Sequence, residues 1–77
     1  HNLVGEYIQL GKNINSNKLP NAYELYDIQG KKILLGNITA EMSIINLASY
    51  KEALYYLRLF NTHSNFTTTI VVQKINQ

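Results

Sequence analysis

Apolar and polar positions alternate most clearly over residues 22–35. In Ala22-Tyr23-Glu24-Leu25-Tyr26, Tyr23 and Leu25 flank Glu24, the period of two that a strand with one buried face requires. Asp27-Ile28-Gln29-Gly30 follows, and then Lys31-Lys32-Ile33-Leu34-Leu35. Asp at the first place of a turn and Gly at the fourth suit type I. The carboxylate accepts nearby backbone N–H groups, and glycine tolerates a positive φ on leaving. The pattern predicts a hairpin over residues 23–35, with Pro20 before its first strand or at a sheet edge, because proline brings no N–H to a ladder.

Three further strands are expected. Tyr7-Ile8-Gln9-Leu10 places Ile8 and Leu10 on one face, and Ser43-Ile44-Ile45-Asn46-Leu47 is a short strand of the same kind. Phe66-Thr67-Thr68-Thr69-Ile70-Val71-Val72 is the clearest by propensity, since β-branched side chains pack well on a pleated surface. Residues 11–17 read as a polar, Asn-rich loop, and Asn61-Thr62-His63-Ser64-Asn65 as a turn.

Residues 47–60 admit two readings. Ser49 with Glu52 three places on has the form of a helix capping box, and Leu47, Tyr50, Leu54 and Leu57 recur at helical spacing; this gives an α+β alternative with a helix near residues 49–60. In the other reading a strand starts near Leu54, with Tyr55, Leu57 and Leu59 alternating against Tyr56 and Arg58. The strand is preferred. A turn at residues 61–65 would hand the C-terminal strand an immediate antiparallel partner, and paired tyrosines suit a sheet.

Size and composition limit what such a domain can do. A chain of 77 residues makes one small domain that buries only about 60–65% of its unfolded surface, so a deep active-site cleft is not expected. Charged residues are 16% of the chain, and polarity comes instead from Asn, Ser, Thr and Gln. The net charge is +2, and Lys31-Lys32 is the only adjacent basic pair. A nucleic-acid binder should carry a basic stripe, and none is visible. No cysteine is present, which removes disulfides and thiolate chemistry. No apolar run approaches the roughly 20 residues of a membrane helix, so no membrane insertion is expected. No N-terminal stretch has the form of a signal peptide. The chain begins at His1 rather than Met and is read as a piece of a longer secreted polypeptide, residues 1–77 forming a single domain.

Candidate chemistry is sparse. His1 and His63 lie far apart without Cys or carboxylate at ligand spacing, so no metal or other cofactor is expected. Of the carboxylates Glu6, Glu24, Asp27, Glu41 and Glu52, Asp27 is accounted for by its turn, and no nucleophile or acid–base pair can be assembled from the rest. The chain is therefore not expected to be an enzyme. Tyr23, Tyr26, Tyr55 and Tyr56 could make an aromatic platform for a sugar, but at alternating strand positions some of them belong to the core.

As a whole, the chain resembles the type A C-terminal sorting domain of the type IX secretion system, a domain family found on proteins exported by Bacteroidota. Asn2-Leu3-Val4, followed by Tyr7-Ile8-Gln9-Leu10, is similar to the opening Asn-Pro-Val and first strand of the family. Tyr23-Glu24-Leu25-Tyr26-Asp27-Ile28-Gln29-Gly30-Lys31-Lys32-Ile33 resembles its most recognisable stretch. Ile44-Ile45-Asn46-Leu47 with Leu54-Tyr55-Tyr56-Leu57-Arg58-Leu59 resembles its late block, and Phe66-Thr67 through Lys74 its closing strand and basic tail. Three positions depart from the pattern. Leu3 replaces Pro, which loosens the approach to the first strand. Ala53 replaces Gly before the Tyr strand and would be strained by about 1 kcal/mol if that site needs positive φ. Asn65 stands near a missing Gly in the last turn, where it would fill a left-handed position.

The resemblance implies an all-β fold, a small Ig-like antiparallel β-sandwich of about seven short strands, and it too favours the strand over the helix at residues 54–59. It implies a non-catalytic C-terminal secretion signal. A cargo protein carrying it enters the periplasm and is recognised by the outer-membrane translocon and its shuttle. The domain is then removed by a sortase-like peptidase, leaving the cargo secreted or on the cell surface. Recognition is expected at an exposed strand edge to which a partner adds a strand. The strand over residues 66–75 is the candidate edge, with Phe66, Thr67, Thr69, Val71 and Lys74 as contacts and Lys31 and Lys32 of the hairpin as a second contact. Asp27, Gly30 and Tyr55 are read as structural. Exposed edges and residues 69–72 also leave room for self-association. The alternative is an Ig-like binding or spacer module of a cell-surface protein.

Overall fold

A computed structural model of the chain describes residues 2–11, 20–38 and 42–75. Seven strands occur there and no helix: β1 (Asn2–Val4), β2 (Tyr7–Gly11), β3 (Ala22–Asp27), β4 (Lys32–Asn37), β5 (Met42–Asn46), β6 (Ala53–Phe60) and β7 (Thr67–Lys74). They form a five-stranded sheet in the order β1-β7-β6-β3-β4 and a two-stranded sheet of β2 and β5. All pairings are antiparallel except that of β1 with β7. The expected small all-β sandwich is what is found. The polar loop expected at residues 11–17 falls outside the described residues, apart from Gly11, which ends β2.

The core follows from strand alternation. Tyr55, Leu57 and Leu59 of β6 are buried while Leu54 and Tyr56 are exposed. Through the ladder they stand beside Leu25 of β3 and Val72 of β7. Ile45, Leu47 and Ile38 close the cluster, with Ile8 and Leu10 of the smaller sheet against it. Each fully buried Leu or Ile contributes about 1.5–3 kcal/mol relative to exposure.

The helical alternative for residues 49–60 is not what forms. Leu54, which would join the helical apolar stripe, points to the opposite side of β6 from buried Leu57. Ser49 and Glu52 are exposed in the β5–β6 connection. There the Asn46 Oδ1 accepts from Ala48 N at 2.9 Å, and Leu47 O accepts from Tyr50 N at 3.0 Å. Local side-chain acceptors of this kind favour a turn over a helix start. The strain expected at Ala53 is absent, as is the left-handed Asn65, because no non-glycine residue among those described has positive φ. Ala53 simply opens β6 in extended form.

The β3–β4 hairpin turns as its sequence requires. Gly30 N donates to Asp27 O at 3.0 Å, and Asp27 Oδ1 accepts from both Gln29 N and Lys31 N at 2.9 Å. Gly30 has φ of +86°, and a Cβ there would meet nothing within 4 Å. Gly30→Ala should therefore lower stability by about 1–2 kcal/mol through backbone strain alone, read as a lower urea midpoint with an unchanged slope.

One irregularity breaks the period of β4. Leu25 pairs with Leu34 and Tyr26 with Lys32, so Ile33 is the extra residue of a bulge. The bulge lets consecutive Ile33 and Leu34 both pack against the core, which simple alternation would forbid.

Candidate functional site

Register decides which side chains share the sheet face turned away from β2 and β5. Across the large sheet, Leu35, Glu24, Arg58 and Thr69 form one row. Lys32, Tyr26, Tyr56 and Val71 form the next, and Leu54, Gln73 and Leu3 lie beyond. Lys32 from the hairpin and Thr67, Thr69 and Val71 from β7, two groups singled out separately in the sequence, thus stand on one face with β3 and β6 between them.

At its centre is a cluster built on Glu24. The Lys32 Nζ lies 2.7 Å from Glu24 Oε2, and Arg58 donates an N–H to Oε1 at 2.9 Å. The Tyr26 hydroxyl donates to the same Oε1 at 2.7 Å. The Lys32 ammonium stands 5.9 Å from the Tyr26 ring centre, and the Arg58 guanidinium 4.1 Å from that of Phe60. Strand alternation orients every member. Bonding to Lys32 above all, then to Tyr26 and Arg58, holds the Glu24 carboxyl at about 2 against its ordinary 4.5, with burial opposing. Each partner's own hydrogen bond to Glu24 pushes Lys32 and Tyr26 upward in turn.

A carboxyl with a lowered folded pKa stabilises the protein fully above its unfolded value and loses that contribution as it is protonated. The ion pairs of Glu24 should therefore support the fold above about pH 5 and fade as pH falls toward 2. With both cations about two-fifths exposed, solvent screening limits the effect, and Glu24→Gln should cost about 1–2 kcal/mol at pH 7. Stability curves of the two proteins measured from pH 7 to pH 2 should converge at the acid end; parallel curves would show that the pairs do not titrate with folding.

The other expected contacts are placed differently. Lys31 is exposed at the end of the turn. Phe66 is half-buried ahead of β7, its carbonyl accepting from Asn61 N at 3.1 Å. Lys74 is not a surface residue at all. It is 3% exposed, and its ammonium donates to the Tyr50 carbonyl. The strand reading of a basic tail fails here because β1 lies beside residues 72–74 and the β5–β6 connection reaches over them. Nor is β7 a free edge along its length: β1 occupies Val72–Lys74, and only residues 67–71 lack a strand on that side among the described residues. Tyr55 is buried, its hydroxyl donating to Lys51 O at 2.7 Å, and burial pushes that phenol upward. The tyrosines do not make one platform, because Tyr23 and Tyr55 face the core while Tyr26 and Tyr56 face outward.

Glu24 and Arg58 are not among the site residues expected from the sequence, and Tyr26 and Tyr56 enter there only as part of a possible sugar platform. Their polar phase within alternating strands marks them as outward-facing, but the adjacency of β3 and β6, which joins residues 34 apart, is not a local signal. A concavity of about 580 Å³ opens between the β1–β2 segment and the large sheet. Val4, Ile8, Leu10, Leu57, Ile70 and Val72 line it, where two strands do not span the face of five.

A family model described as a secretion system C-terminal sorting domain matches residues 4–73 of the chain. The chain belongs to that family. No curated protein and no solved structure matches it. The sorting domain is thus a signal for type IX secretion, recognised by that machinery and serving export to the cell surface or beyond. The match runs from β1 into β7 and so spans both sheets. The binding or spacer alternative is not favoured.

Proposed function

We propose that the domain works as a folded, non-catalytic tag at the end of a longer secreted chain. The cargo reaches the periplasm first. The outer-membrane translocon and its shuttle then bind the tag, and a sortase-like peptidase removes it. The observation that carries this reading is the family match across nearly the whole sandwich. The Asp27 carboxylate is engaged by its turn and that of Glu24 by two cations and a phenol. No group of three His, Asp or Glu comes together among the described residues. Edge segments at β4 and at residues 67–71 of β7, which have no further strand beside them among the described residues, are where a partner strand, or a second copy, would add.

Residues 1–77 fused behind a periplasmic reporter, in a host with the secretion system, should carry the reporter to the cell surface. The same fusion lacking residues 65–77 should stay in the periplasm, because β7 lies inside the large sheet between β1 and β6. A complete fusion that remains periplasmic would refute the signal reading.

A further inference from the structure

The outer face of the large sheet carries more positive charge than its own carboxylate neutralises, and it carries it among exposed apolar side chains. Lys32 and Arg58 against Glu24 leave one net positive charge in the cluster. Their side chains are 42% and 39% exposed, so both cations keep donors turned to solvent. Leu35 is 66% exposed beside the cluster, and Tyr56, Leu54 and Leu3 continue the apolar part across the sheet. The second sheet packs on the opposite side, and among the described residues this face carries the exposed Leu3, Leu35, Leu54 and Tyr56. We infer that this face docks a protein component of the export machinery that presents a carboxylate to Arg58 and Lys32 and apolar side chains to Tyr56, Leu54 and Leu35. The inference rests on the sorting reading and adds to it the surface and the charge of the partner.

Charge and magnitude select this occupant over others. A second copy would bring the same positive charge against the first. An anionic membrane yields only about 1 kcal/mol per basic residue, too little for a cluster of net charge +1. At a protein interface, by contrast, a desolvated charge pair is worth more and fixes orientation, and exposed tyrosine and arginine are favoured anchors. Sharing Glu24 also holds both cations in place before a partner arrives, which reduces the ordering cost of binding.

The test uses the fusion described above with two variants of the 77-residue chain. The first inverts the cluster, Glu24→Lys with Lys32→Glu and Arg58→Glu, so that one central charge is still shared by two opposite ones while the field changes sign. The second is Thr69→Glu, which sets a carboxylate directly opposite Arg58 at an exposed position and occupies the guanidinium from within. Each folded variant should lower the exported fraction by about tenfold or more, equivalent to at least about 1.4 kcal/mol of binding. Thermal melting establishes that a variant is folded, and if the inverted cluster does not fold, Thr69→Glu decides alone. Export of either folded variant at the level of the unmodified fusion would overturn the inference while leaving the sorting reading intact. Failure of the unmodified fusion would overturn both. The chain should not sediment with phosphatidylglycerol vesicles; sedimentation that the inverted cluster abolishes would assign the face to a membrane and overturn the protein partner.

Discussion

Alanine in place of Lys74 is expected to lower the melting temperature by roughly 10–20 °C, the consequence of losing about 2–4 kcal/mol in so small a domain. Lys74 lies opposite Ala53 of β6 on one side and Val4 of β1 on the other. Its aliphatic stem fills space between them, and its ammonium donates to the Tyr50 carbonyl. Tyr50 in turn meets Tyr55 edge to face at 6.5 Å and donates its hydroxyl to Ile33 O at 3.4 Å. Truncation removes both the packing and the donor, leaving a half-buried carbonyl poorly satisfied. Lys74→Met keeps most of the volume and loses only the hydrogen bond, so its cost should be about 1–2 kcal/mol. The pair separates two roles for this residue. If Lys74 is purely internal, Lys74→Met should be exported like the unmodified domain at a temperature where it is folded. Loss of export in that folded variant would restore Lys74 as a contact.

Gly36→Ala is the second large effect. Gly36 lies opposite Tyr23 in the β3–β4 ladder, and the tyrosine ring crosses over it. A Cβ at position 36 would stand 2.5 Å from the Tyr23 hydroxyl oxygen and 2.7 and 2.8 Å from two ring carbons. The ring would have to leave its place against the core, costing about 1–3 kcal/mol, and Gly36→Val should cost more. A double-mutant cycle isolates the cause. With Tyr23→Ala already present, Gly36→Ala should cost nothing and should gain about 0.5–1 kcal/mol, because glycine weakens a strand interior. Equal costs in both backgrounds, measured by urea unfolding, would show that the ring is not what glycine accommodates.

Much of the fold was legible because its signals are local. The Asp27–Gly30 turn carries its own chemistry, and β2, β3, β5 and β7 announce themselves by alternation or by β-branched residues. The segment at residues 53–60 was ambiguous for a physical reason: Leu47, Tyr50, Leu54 and Leu57 satisfy a helical period as well as Tyr55, Leu57 and Leu59 satisfy a strand. The turn at residues 61–65 and the family resemblance tip the choice to the strand, and the pairing of β6 with β3 and β7 is what forms. The bulge at Ile33 hid in a run of apolar residues whose phase cannot be read without the partner strand. The candidate face was legible in halves. Lys32 and the β7 threonines could be singled out one by one, but Glu24 and Arg58, the pair that joins them, become neighbours only when β3 and β6 do. Lys74 misled for the opposite reason: a lysine is almost always solvated, and what covers this one, β1 and the Tyr50 carbonyl, is brought to it only by the fold.

The parallel pairing of β1 with β7 has a mechanical consequence. Traction applied at the start of β1 and at the end of β7 pulls the two strands along their length in opposite directions. The ladder between Asn2–Val4 and Val72–Lys74, with the 2.9 Å bond from Ile75 N to Val4 O, then bears the load in shear, all bonds at once, instead of peeling one by one. Resistance to such a pull is set by the rate of crossing the unfolding barrier. In single-molecule extension between these two ends, the arrangement should give one abrupt rupture at the β1–β7 ladder.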